Sequence, residues 1–313
     1  MNTIREGLQQ YLTLRRSLGF ELQNERTPLG KFVSFLEAEG ASHITTECAI
    51  GWATQSEGVQ ARTWARRLGM VRRFAVWFSA LDPRTQAPPL ELLPYRYQRR
   101  RPYIYSDSEL EQILATAAKL PSPSGLRGWT YSTMFGLLVV TGMRVSEAVS
   151  LDCDDVNLAE GILTIRRTKF GKSRLVFIHP STQTALRAYL ATRDKFFPHS
   201  RAQAFFLAER GNRISVNMAD WTFAQVSRSI GLRRPGKGSG TGPRLHDIRH
   251  RFAVRTLIDW YRAGLDVERE IPKLATYLGH THVNDTYWYL EAAPELMQLA
   301  VKRLELHARG GRP

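Results

Sequence analysis

Leu278-Gly279-His280-Thr281-His282-Val283-Asn284-Asp285-Thr286-Tyr287-Trp288-Tyr289 places a histidine just past a glycine break and a tyrosine nine positions later. Free tyrosine is a poor nucleophile, since its ordinary pKa is about 10. It becomes useful when cations surround the atom it attacks and a neighbour takes its proton. Working outward from this stretch, the chain has to supply those groups.

It does so in three places upstream. Leu245-His246-Asp247-Ile248-Arg249-His250 reads as a helix start, and His246 and Arg249, three apart, share a face. Thr141-Gly142-Met143-Arg144-Val145-Ser146-Glu147 ends an apolar helix over Tyr131 to Val140 and begins another. Gly161 to Arg166 and Arg174 to Ile178 are β-rich runs separated by Thr168-Lys169-Phe170-Gly171-Lys172-Ser173, which predicts a hairpin with Lys169 and Lys172 near its tip. Arg144 and Arg249 each present a planar fork of donors that matches phosphate oxygens. Two such forks neutralise charge building on a phosphorus atom, so the chemistry demands neither metal nor cofactor. His246/His250 and His280/His282 make zinc conceivable, but no carboxylate or cysteine stands at matching spacing.

With these pieces in order, the chain resembles a tyrosine recombinase of the phage-integrase/Xer type. The motifs that carry the resemblance are Thr141–Glu147, Lys169, His246-x-x-Arg249, Leu278-Gly279-His280 and Tyr289, and together they cover most of residues 103–295. The resemblance implies a catalytic set of Arg144, Lys169, His246, Arg249, His280 and Tyr289, and a 3′-phosphotyrosyl link with a free 5′-hydroxyl. In that scheme Tyr289 attacks, Lys169 protonates the departing oxygen, His246 helps remove the tyrosine proton and His280 bonds the scissile phosphate. Position favours Lys169 over Lys172, which is left as a phosphate contact, and Tyr289 over Tyr287, whose plainer role is packing. Arg144 and Glu147 also read as a local i,i+3 ion pair. His250 and His282 read as surface or supporting groups, and Trp129 and Trp288 as core. The interval between Arg249 and His280 exceeds the family's common spacing by about two helical turns, which places extra residues within Trp260 to Ile271.

The bulk properties agree. The chain has 313 residues, 44 Lys+Arg against 29 Asp+Glu, a net charge of +15 and a pI near 10.2. Such a field attracts polyanions, double-stranded DNA first. No apolar run spans a bilayer and no secretory pattern opens the chain, so no membrane association and a cytoplasmic location are expected. Cys48 and Cys153 define neither a disulfide framework nor a zinc site.

The expected fold is mainly α with a small β-hairpin or sheet, an α+β arrangement in two domains. Residues 1–82 read as a helical, SAM-like core-binding domain, with helices marked by Leu8, Tyr11 and Leu12, by Phe32, Phe35 and Leu36, and by Ala49, Ile50 and Trp52. Its fourth helix, roughly Val59 to Leu81, has a core stripe of Trp64, Leu68, Val71, Ala75 and Phe78. Arg62, Arg66, Arg67, Arg72 and Arg73 fill much of the rest with almost no acidic partner, which predicts contact with a DNA backbone. Residues 83–102, rich in proline, read as a linker, 103–298 as the catalytic domain and 299–313 as a tail. Ser106-Asp107-Ser108-Glu109 is a capping box that opens the second domain.

The first functional reading is strand exchange of a mobile element by a homotetramer on two duplexes, with sister recombinases as possible partners. The amphipathic stretch Pro294 to Leu306 is expected to dock on a neighbouring protomer. The lack of room before residue 1 for an arm-binding domain leans toward a simpler recombinase. Two alternatives use the same residues differently: a type IB topoisomerase-like enzyme that relaxes or closes strands, and a non-catalytic DNA-binding accessory subunit.

Overall fold

The computed structural model describes residues 3–20, 22, 25–93, 101–166, 173–198, 202–234, 242–292, 295–299, 301 and 305, and the chain divides into two compact units, Met1–Arg100 and Arg101–Pro313. No helix among the described residues is long and apolar enough to cross a membrane. Lys169, Lys172, Pro94, the Arg96–Arg101 tether up to residue 100, and Pro294 and Leu304 lie outside the described residues.

In the first unit α1 (Ile4–Ser17), α2 (Arg26–Ala38), α3 (Thr46–Thr54) and α4 (Ala61–Phe78) pack round one core. Thr3 and Glu6 cap α1 reciprocally, at 3.2 and 2.9 Å, satisfying two orphan donors of the first turn. Gly7 lets α1 approach α4, since a Cβ there would stand 2.2 Å from the Phe78 ring. The core face of α4 differs from the expected stripe: Met70 and Phe74 are buried, while Trp64 is only half-buried and donates its Nε1 to the Ser56 carbonyl at 3.2 Å. An 18-residue helix offers several apolar stripes, and the indole N–H, which needs a partner, draws Trp64 to the rim.

The second unit opens at the expected capping box, where Ser106 and Glu109 close on each other around the start of α5 (Asp107–Ala118). Next comes the buried helix α6 (Leu126–Thr141), ended by Gly142 in the left-handed conformation at φ 59°. A side chain on Gly142 would strike the Phe252 ring at 2.4 Å, so glycine is required there twice over. The chain then turns into the short α7 (Val145–Ser150).

The expected hairpin is present as β2 (Ile162–Ile165) and β3 (Arg174–Phe177), paired antiparallel with Ile162 opposite Phe177 and Ile165 opposite Arg174. A two-residue strand, β1 (Val156–Asn157), extends it to three strands in the order β1-β2-β3. Leu163, Ile165 and Val176 face the core while Leu175 and Phe177 face out, the period of two that a half-buried sheet dictates. Helices α8 (Pro180–Phe196) and α9 (Val216–Ser229) complete the larger core. A second cluster joins α10 (Asp247–Arg262), α11 (Val267–Leu278) and α12 (Asn284–Ala292) through Val254, Leu257, Ile271, Leu274, Leu278 and Tyr289. Leu296 is buried in that same cluster and Leu299 packs against it, so the start of the C-terminal amphipathic stretch rests on its own chain.

Candidate active site

Every sequence-predicted catalytic residue among the described residues lies in the second unit, all but Tyr289, which is inside α12, at the ends of helices. The αL residue Gly142 turns the chain so that Arg144 becomes the N-terminal cap of α7. Its backbone N–H and its Nη1 donate to the two Glu147 carboxylate oxygens, both at 2.8 Å, and its Nη2 donates to the Gly279 carbonyl at 2.9 Å. The local ion pair read from the sequence therefore exists, and it holds the fork rather than replacing its role. Glu147 is only 7% exposed. Burial works to raise its carboxyl, but the hydrogen bonds and charge of Arg174, with those of Arg144, outweigh it and hold the pKa below the ordinary value.

Arg249 projects from the first turn of α10 and is 3% exposed. Its Nη1 donates to the Gly142 carbonyl at 2.9 Å and its Nη2 to the Leu278 carbonyl at 2.7 Å. Burial and then the nearby Arg144 charge lower its pKa to about 10, which leaves it protonated at neutral pH. Tyr289 is among the groups whose electrostatics act on Arg249.

His246 forms the N-terminal boundary of α10, three residues before Arg249. The residue keeps exposed surface, and protein and the cations of Arg249 and Arg244 stand near it. Burial, then the charges of Arg249 and Arg244, lower its pKa to about 4, so the imidazole is neutral at pH 7. His280 follows the αL residue Gly279 that ends α11, and its Nδ1 shares a hydrogen bond of 2.7 Å with the Thr286 hydroxyl of α12. Its ring stacks on that of Tyr289, with centroids 6.0 Å apart and planes 27° apart.

Tyr289 is 2% exposed, whereas the rival Tyr287 is 40% exposed. The Tyr289 ring meets His250 at 5.5 Å and Trp288 at 5.5 Å. His250 in turn meets His246 at 4.8 Å, edge to face. It thus stands between the expected base and the expected nucleophile, a place that its sequence position alone did not reveal. The signal was there: His250 lies one turn past His246 on the same helix face. Trp129, expected in the core, is 47% exposed. Among the described residues no group of three or more His, Cys, Asp or Glu gathers in a metal-holding arrangement.

In the first unit Arg62 and Arg66 are exposed, but not all five arginines of α4 lack an acidic partner. Arg73 reaches Glu25 at 2.7 Å, and Arg67 donates to the Ser56 hydroxyl at 2.7 Å beneath the Trp52 ring. Arg72 is half-buried, with a Nε that makes no hydrogen bond among the described residues.

The profile of the phage integrase family matches residues 104–295. The chain is 49% identical over 312 residues to the putative integrase/recombinase y4rB of Sinorhizobium fredii, covering 97% of this chain and 98% of that protein. It is 27% identical to the tyrosine recombinase XerD of Neisseria meningitidis serogroup B, over 84% of this chain and 83% of that one. In fold it is similar to the site-specific recombinase XerH solved in a post-cleavage complex with a palindromic difH substrate, with a TM-score of 0.65, 19% identity, and coverage of 97% of this chain and 85% of that chain.

Proposed function

Since this chain belongs to the phage integrase family, and is a site-specific recombinase that breaks and rejoins DNA, we propose that Tyr289 is its nucleophile and that Arg144 and Arg249 are the cations that make one phosphodiester electrophilic. The observation that carries this reading is convergence. Arg144 and Arg249 meet at the C-terminal end of α11, through the Gly279 and Leu278 carbonyls, where His280 follows, and Tyr289 stacks on His280.

The chemistry follows from the groups. The Tyr289 Oη attacks phosphorus while its proton passes toward the neutral His246 side of the site. The P–O5′ bond breaks, leaving a 3′-phosphotyrosyl ester, and the departing 5′-oxygen takes a proton from Lys169. The two guanidinium forks and His280 bind the non-bridging oxygens as negative charge grows on them. The ester keeps the bond energy, so a 5′-hydroxyl from a second duplex displaces Tyr289 by the reverse step without a nucleotide cofactor.

Double-stranded DNA is the substrate, and a homotetramer on two duplexes is the assembly that exchanges strands. The solved λ integrase tetramer bound to a Holliday junction has this fold. The mobile-element role, a cytoplasmic location and DNA-backbone contact by Arg62, Arg66, Arg67, Arg72 and Lys172 belong to the same proposal. Arg73, tied to Glu25, is the weakest member of that contact set. The test is a covalent protein–DNA band in denaturing gels when the purified protein meets duplexes from the DNA flanking its own gene. The band is expected with wild type and with Tyr287→Phe, and absent with Tyr289→Phe. A band that persists in Tyr289→Phe overturns the assignment.

A further inference from the structure

Helix α11 ends without side-chain caps of its own, and what satisfies its last carbonyls is unusual. The final carbonyls of any helix lack intrahelical donors and carry the negative end of its dipole. Here the Ala275 and Thr276 carbonyls are satisfied by the backbone N–H groups of His280 and Gly279, at 2.9 and 3.0 Å. The next three carbonyls each accept from a different guanidinium: Tyr277 from Arg174 Nε at 2.8 Å, Leu278 from Arg249 Nη2 at 2.7 Å, and Gly279 from Arg144 Nη2 at 2.9 Å. Two of those arginines are the proposed phosphate-binding pair. The third has no assigned role.

Arg174 opens β3, five positions after Lys169 in the sequence. Its Nη1 and Nη2 donate side by side to the two Glu147 oxygens, at 2.9 and 2.7 Å. The same carboxylate receives Arg144, so one buried anion orients both guanidiniums. The plane of Arg174 also lies against Gly279: a Cβ there would stand 2.8 Å from its Nη1. Bidentate pairing plus a separate Nε bond fixes a planar group at three donors, which a lysine cannot reproduce.

We propose that Arg174 is a positioning residue of the strand-transfer centre, locking the Tyr277–Gly279 carbonyl arc on one side and, through Glu147, the fork of Arg144 on the other. It never reaches the phosphate. It sets where Arg144 and Arg249 point and where the chain delivers His280, and it ties all three to β3. This inference rests on the catalytic assignment proposed above.

The experiment uses the full chain with Arg174→Gln and Arg174→Lys. On the duplex to which wild type becomes attached, the cleavage rate at saturating protein is expected to fall roughly 10²-fold, the scale on which small misplacements of catalytic groups act. DNA affinity should stay as in wild type, because only transition-state contacts are lost. Methylguanidinium added to Arg174→Ala should restore part of the rate. A wild-type rate in the folded Lys variant, or a loss of rate matched by an equal loss of affinity, overturns the proposal. If Arg174→Gln does not fold, the Lys variant decides alone. A second measurement does not need cleavage. Melting of Arg174→Gln, Arg144→Gln and the double variant should be non-additive, and additive again in a Glu147→Gln background. Additivity with Glu147 in place overturns the coupling, whereas absence of any Tyr289-dependent adduct in wild type overturns the catalytic assignment instead.

Discussion

Replacing Glu147 by glutamine tests how the site is held together, independently of any DNA. The carboxylate accepts four hydrogen bonds between 2.7 and 2.9 Å, from Arg144 twice and from Arg174 twice, while almost fully buried. Removing one partner of a buried ion pair leaves an uncompensated charge and costs about 3–5 kcal/mol. Glutamine keeps one acceptor oxygen, so the low end, about 3 kcal/mol, is expected. For a unit of this size each kcal/mol moves the midpoint by about 2–4 °C, giving a fall of about 6–12 °C. The pH dependence has a definite sign. The folded state holds the Glu147 carboxyl below its ordinary value, so its contribution is complete above the ordinary glutamate pKa and is lost as pH falls through the depressed folded value. The gap between wild type and Glu147→Gln should therefore be widest near pH 7, begin to narrow below the ordinary glutamate value of about 4.3, and close only as the pH falls through the lower folded value. Thermal melting of the full chain, with hydrogen exchange on peptides from α7 and β3 to localise the loss, measures both. A drop under about 1 °C at pH 7, or a gap that does not close in acid, refutes the view that Glu147 anchors the two arginines.

Three further outcomes follow from the same geometry. Arg249→Lys keeps the charge but cannot span the Gly142 and Leu278 carbonyls together, and cleavage in a suicide-substrate assay should fall about 10²–10³-fold, the loss typical for one preorganised donor. The His246 imidazole of the free protein should titrate near pH 4 by NMR, and Arg249→Gln should move that midpoint upward by removing the largest charge acting on it; a midpoint near 6.5 in wild type would sink the account. Deleting residues 299–313 should leave a folded chain, because Leu296 remains in its core, yet abolish tetramers on DNA in native gels and analytical ultracentrifugation; intact tetramers would remove the docking role of the tail.

What the sequence disclosed, it disclosed through short-range rules. The Ser106–Glu109 box, the Gly142 stop before Arg144, the shared face of His246 and Arg249 and the β2–β3 hairpin each depend on residues a few positions apart. The family pattern then ordered them. What stayed hidden is long-range pairing. Glu147 and Arg174 are 27 residues apart, Arg73 and Glu25 are 48 apart, and nothing local marks either pair. Arg174 looked like an ordinary strand residue, since its partner lies on a different element. Helical spacing points Trp64 inward and apolar character points Trp129 inward, but an indole with room at a rim serves as well there as in a core. The two-residue β1 is too short for any alternation to show.

The way these cations are tethered explains how they can be rigid and still act. An arginine fixed by a carboxylate is oriented but largely neutralised. Arg249 is fixed instead by two backbone carbonyls, and Arg144 and Arg174 divide one carboxylate between them while each takes a carbonyl as well. Three guanidiniums against one Glu147 carboxylate leave the cluster with a formal excess of two positive charges. A phosphodiester arrives with one negative charge, and the five-coordinate state on the way to the tyrosyl ester carries two. On the proposed catalytic assignment the cluster's charge matches the transition state better than the bound substrate, which is the condition for lowering the barrier rather than merely tightening binding. Carbonyl clamps provide this because they direct the forks without cancelling their charge, and the end of α11, with three carbonyls in a row, is where the fold supplies them.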